Sequence, residues 1–247
     1  MTRRVIPALI PAFVLAILFL GFGPIAQPQA YHAFADSRGL SGIANFGNVV
    51  SNLAFLASGG IGLFICATRR PEGAYLAWTV FFAGVTLVSA GSATYHWAPD
   101  DTTLVWDRLP MTVGFMGAYA ALLAEFLRRD LEKQLLIPAL LMGVLSVLYW
   151  DLTGDLRLYF AVQATLFLTG LALLTGFRSE IVDKSLILAA FASYGAAFAC
   201  EQLDGEIYAL TGEAISGHTL KHLFAALAPG WIAFMLAKRL AAAPTPS

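Results

Sequence analysis

The sequence predicts an all-α, polytopic membrane helix bundle: a seven-helix core plus one extra N-terminal transmembrane helix. Three observations carry this. The chain is 58% hydrophobic and only 13% charged over 247 residues, the composition of an integral membrane protein. Its apolar residues fall into eight runs, near 5–26, 44–66, 73–95, 109–127, 135–150, 157–177, 185–203 and 215–237. Each approaches the length of about 20 residues that a spanning helix needs. The polar punctuation between runs is short, as in Thr68-Arg-Arg-Pro-Glu-Gly and Asp151-Leu-Thr-Gly-Asp-Leu-Arg, and leaves no room for a soluble domain.

The first run lies within residues 1–30, behind Arg3 and Arg4. A signal peptide cut after Ala30 would place Pro28 where a small residue is wanted, so this segment reads as an uncleaved helix. Residues 31–240 make up the seven-helix core, and the tail 241–247, Ala-Ala-Ala-Pro-Thr-Pro-Ser, reads as disordered.

Basic residues orient the bundle. With the N-terminus in the cytoplasm, 11 of the 15 Lys and Arg face inside, and only Arg38, Arg108, Arg157 and Lys221 fall outside. The expected setting is a multi-pass protein of a bacterial inner membrane with both termini cytoplasmic. The net charge of −1 and the lack of a basic tract give no sign of nucleic-acid binding. Cys66 and Cys200 lie inside apolar runs and read as small packing residues rather than metal thiolates.

Chemistry-bearing residues gather at the expected outer face. His218 and His222 are four residues apart in His-Thr-Leu-Lys-His, which puts two imidazoles on one helix face, a turn apart. The Glu of a zinc-protease motif is missing. Ser92 and His96 repeat the same spacing at the end of the third run, and Asp107 follows in Val-Trp-Asp-Arg-Leu-Pro, where the fourth helix is expected to begin. Three His with an open position is the ligand count of a catalytic zinc, and ionisable groups at membrane depth are functional by default.

Other polar residues have ordinary readings beside functional ones. Asp107 could instead cap a helix or pair with Arg108. His32, among aromatic neighbours, reads as interfacial, and Asp100 and Asp101 as solvated turn residues. Glu201 and Asp204 are equally readable as interfacial acids or as groups that orient a ligand imidazole. Ser216 is placed to cap the helix of the His pair. Lys221 must point away from that pair, toward headgroups. Asn45, Asn48, Ser51 and Asn52 suggest hydrogen bonding between helices, or support behind the metal site.

Ser92-x-x-x-His96, Asp107 in Asp-Arg-Leu-Pro-Met, His218-x-x-x-His222 and Asn48-x-x-Ser51-Asn52 together resemble the alkaline ceramidases. These belong to a wider superfamily of membrane hydrolases that includes the adiponectin and progestin receptors. The resemblance covers roughly residues 36–237. It implies a Zn2+ held by His96, His218 and His222, with Asp107 as the base and Ser92 polarising the substrate carbonyl. It implies cleavage of a ceramide amide to a fatty acid and a sphingoid base, the lipid arriving from the bilayer. The chain departs from the family in its first helix, in Lys221 where an aromatic residue is usual, and near Asp36 and Asn45. There too few acids remain for a high-affinity calcium site. The alternative is a zinc-containing seven-helix lipid sensor or receptor, which the short loops disfavour. An ion-carrying scaffold or transporter would want paired broken helices at mid-bilayer, and none is evident.

Overall fold

A computed structural model describes residues 6–242. The helices are α1 (Ile6–Gly21), α2 (Phe46–Val50), α3 (Leu53–Arg69), α4 (Tyr75–Trp97), α5 (Asp101–Phe126), α6 (Leu131–Thr153), α7 (Arg157–Gly176), α8 (Lys184–Gln202), α9 (Asp204–Leu210) and α10 (Gly217–Ala242). Residues Gln29–His32 form a short 3-10 turn, and no strand occurs among the described residues. α2 and α3 together form one apolar stretch, Phe46–Arg69, and α8 turns by 82° into α9. The expected polytopic helical bundle is therefore what the chain adopts, and its long apolar helices make it a multi-pass membrane protein.

α5 is the central helix. Its apolar window is 72% buried, against 22–44% in the other long helices. Large side chains such as Ile137, Leu141 and Leu145 of α6 stay exposed, as a lipid-facing surface requires. The two cysteines are free.

Several boundaries differ from expectation for clear physical reasons. Among the described residues α1 covers Ile6–Gly21 and ends five residues before the expected 26. Gly21, Gly23, Pro24 and Pro28 end it and leave an extended segment. α5 starts at Asp101, well before the expected 109, because Asp100 and Thr103 form a reciprocal capping box. Asp107 therefore lies inside the helix and does not cap it. Ala241 and Ala242 continue α10 rather than joining a disordered tail. Arg3, Arg4 and residues 243–247 lie outside the described residues.

The α4–α5 contact sets the geometry of the site. Pro110 lies inside α5, so the Trp106 carbonyl one turn back has no N–H to accept. That carbonyl leans on Gly91 of α4, where a Cβ would come within 2.0 Å of its oxygen. Only glycine allows this approach, which brings the Asp107 turn of α5 against the Ser92 turn of α4.

Candidate metal centre

Two helices deliver the three imidazoles. His96 closes α4, and His218 and His222 occupy the first two turns of α10. All three are buried, at 1%, 4% and 2% exposure. The Nε2 atom of His96 lies 3.1 Å from Nε2 of His222 and 3.3 Å from Nε2 of His218. One nitrogen from each of the three lies within 4.8 Å of the others.

The donor set fits zinc. Ligands about 2.05 Å from a tetrahedral zinc stand about 3.3 Å apart, close to the separations of His96 Nε2 from its two neighbours. The ring orientation of His222 agrees. Ser51 Oγ donates to the Asn48 carbonyl at 3.0 Å and lies 2.7 Å from His222 Nδ1. A hydroxyl has one proton, so Oγ then accepts from Nδ1–H, which assigns the lone pair to Nε2, the atom facing the cluster.

The start of α10 is fixed by two caps. Ser216 Oγ accepts the Thr219 N–H at 3.1 Å, as the sequence suggests. Asp204 Oδ1 accepts the His218 N–H at 2.7 Å, which settles the role of that acid as an anchor for the His pair. Asn48 Oδ1 accepts from Thr219 Oγ1 at 2.9 Å, joining α2 to the same turn. Asn45 sits in the left-handed region at φ 46°. Its Nδ2 donates to the His96 carbonyl at 2.8 Å and holds the end of α4.

Asp107 and Ser92 are buried at 7% and 2% exposure, and the Ser92 hydroxyl lies against the Asp107 carboxylate. Arg108, the pairing partner considered for Asp107, turns away. It donates to Gln27 Oε1 and lies over the rings of Trp150 and Tyr159 at 4.1 and 4.7 Å.

Lys221 overturns the expectation that it reaches for headgroups. Its ammonium pairs with Glu201, which also accepts from the Tyr31 hydroxyl at 3.1 Å. The ion pair keeps the lysine in the bundle, within electrostatic reach of Asp107 and the three imidazoles. His32 stays outside the cluster, bridging Tyr95 and Asp101 at 3.0 and 3.1 Å. Asp100 and Asp101 are exposed, as expected; Asp100 also caps α5, and Asp101 holds His32 and Gln29. The Asp36 carboxylate is taken by a two-point pair with Arg38 at 2.8 Å each, which holds it below the usual carboxylate range.

Two contributors had no signal in the sequence. Phe34 places its ring centre 4.8 Å from both His96 and His218, and Tyr31 reaches Glu201 from 170 residues away. Both belong to a non-periodic segment whose contacts arise only from the tertiary fold.

The Ceramidase family profile matches residues 39–237. This chain belongs to the ceramidase family. The match spans most of the sequence and both His-bearing helices, and it makes the chain an amidohydrolase of the ceramide-cleaving kind acting on a lipid substrate. A comparison with curated proteins finds no match.

Proposed function

We propose that this ceramidase is a zinc-dependent intramembrane hydrolase that cleaves the amide of a ceramide-like lipid to a fatty acid and a sphingoid base. The observation that carries the reading is the convergence of His96, His218 and His222 through their Nε2 atoms. A buried carboxylate and hydroxyl on the neighbouring turns of α4 and α5 complete the set. The family assignment favours a hydrolase over a receptor or sensor.

His96, His218 and His222 would hold the ion. Bound there, zinc would supply a Lewis acid that polarises the amide carbonyl and makes water nucleophilic near neutral pH. Asp107 takes a proton from the attacking water and passes it to the amide nitrogen as the C–N bond breaks and the new C–O bond forms. Ser92 donates its hydroxyl proton toward the developing oxyanion. Ser51 and Asn48 orient His222, while Asp204 and Ser216 hold the turn that carries His218.

The setting suits a lipid. An apolar groove of about 690 Å³ runs between α3 and α10, the helix that carries His218 and His222, and its walls include Ala54, Ile61, Leu223 and Leu227. Its surface matches a hydrocarbon chain whose amide lies at the imidazoles. The bias of basic residues between the loops supports cytoplasmic termini and a centre near the outer face of the membrane. In domain terms, residues 1–30 add a helix to a catalytic core of 31–240.

The test is a pair of substitutions in purified protein. Asp107→Asn is expected to keep zinc while losing about 10²–10⁴-fold in kcat on ceramide, the range of a general acid–base group. Ser92→Ala is expected to lose about 10²-fold, as for an oxyanion donor. Full activity of Asp107→Asn would remove the carboxylate from the mechanism.

A further inference from the structure

The segment from Phe22 to Arg38 precedes the residues matched by the family, 39–237, yet it builds one wall of the metal centre. Its anchors run in sequence. The Ile25 N–H donates to Asp155 at 3.1 Å, and its carbonyl accepts from the Leu156 N–H at 2.8 Å. Gln27 accepts from Arg108, and Tyr31 donates to Glu201. Phe34 covers His96 and His218, and the Ala35 N–H donates to Asp204 Oδ2 at 2.9 Å. Asp204 uses its other oxygen on the His218 N–H, so strap and ligand helix share one carboxylate. α1 leads into the strap and lies against α7.

This strap lies against a cluster of polar side chains. Tyr31, Gln27, Glu201, Lys221 and Arg108 contribute to it, and Asp107 lies within electrostatic reach. Arg108 is 5% exposed, and its Nη1 has no partner among the described residues. A buried donor without an acceptor is costly and points to a ligand group that supplies one.

We propose that Tyr31 and Phe34 are specificity determinants that form the headgroup subsite of this enzyme. They admit a sphingoid lipid with a free primary hydroxyl and exclude one that carries a sugar or phosphocholine there. The inference rests on the ceramide-cleaving reading. A free hydroxyl needs one donor and one acceptor, which Arg108 Nη1 and Glu201 offer. A larger group requires the strap to lift, breaking the Tyr31–Glu201 and Gln27–Arg108 bonds and uncovering two imidazoles.

Two measurements on the full-length, zinc-loaded protein test it. The first is the ratio of kcat/KM for a ceramide to that for the same ceramide bearing glucose or phosphocholine. In Phe34→Ala and in Tyr31→Ala the ratio is expected to fall by about tenfold or more, and Phe34→Leu restores it, as for steric discrimination in a pocket. The second is the rate at which a water-soluble chelator, dipicolinate, strips zinc. It is expected to rise about tenfold in Phe34→Ala as the outer cover opens, on the scale of a lost supporting contact.

An unchanged substrate ratio in both variants overturns the subsite. An unchanged stripping rate overturns the closure. Wild-type protein that binds zinc but cleaves no ceramide would instead refute the functional reading, and the stripping experiment would still decide whether the strap covers the metal.

Discussion

Replacing Ser51 by alanine isolates the support behind one proposed zinc ligand. Ser51 Oγ lies 2.7 Å from His222 Nδ1 and 3.0 Å from the Asn48 carbonyl, and both residues are buried. The substitution removes the acceptor that fixes the ring tautomer and leaves the imidazole nearly the same space. Loss of such an orienting partner costs about 10–100-fold in metal affinity or activity, about 1.4–2.8 kcal/mol at 1.4 kcal/mol per decade. The Asn48 carbonyl remains near Nδ1 and takes up part of that bond. The expected loss is therefore near the lower bound, about tenfold. Competition against a chromophoric chelator measures zinc affinity directly, and thermal unfolding of the metal-free protein controls for a general fold defect. Zinc affinity within twofold of wild type would refute the argument that Ser51 orients His222.

Three further predictions follow from the packing. Glu125 is buried at the opposite end of α5. It holds Arg239 through two bonds of 2.7 and 2.8 Å and accepts from Trp78 Nε1 at 2.8 Å. Glu125→Gln strands the buried guanidinium, a change on the order of 3–5 kcal/mol, so thermal unfolding in detergent should fall markedly with zinc content unchanged; an unaltered melting temperature would contradict this. Gly91→Ala forces α4 from α5, because the new methyl would meet the Trp106 carbonyl at 2.0 Å. It should cost about 10²-fold in kcat by misplacing Asp107 against Ser92, and wild-type turnover would count against the α4–α5 contact as the device that positions them.

The last concerns pH. The Arg157 guanidinium holds the Asp155 carboxyl below its ordinary value. A depressed carboxyl stabilises fully above its unfolded pKa, about 3.9, and loses that contribution as pH falls through the folded value. The melting difference between wild type and Asp155→Asn should stay constant from about pH 8 to pH 5 and shrink only below about pH 4. A difference that vanished between pH 6 and pH 8 would show that the assigned charge state is wrong.

The helix order and the His cluster were legible because each leaves a local record. Apolar runs mark spans, and a spacing of four on one helix puts His218 beside His222. What escaped depends on contacts distant in sequence. The early start of α5 came from the Asp100–Thr103 box outweighing Pro110 as a boundary, and Pro110 could stay inside because Gly91 receives the carbonyl it frees. Lys221 looked like a snorkelling residue until Glu201, twenty residues upstream, met it inside the bundle. Phe34 and Tyr31 lie in a segment with no periodicity, so nothing local announces that they face His96, His218 and Glu201. Asn48 and Ser51 were legible as polar residues in an apolar helix, but their direction toward Thr219 and His222 was not.

The most direct test of the central claim is zinc stoichiometry measured together with fatty-acid release from ceramide, in wild type and in His218→Ala. The imidazole geometry predicts one zinc per chain and ceramide turnover in wild type, with both lost in His218→Ala. Ceramide hydrolysis that persists in His218→Ala without bound metal would contradict the account.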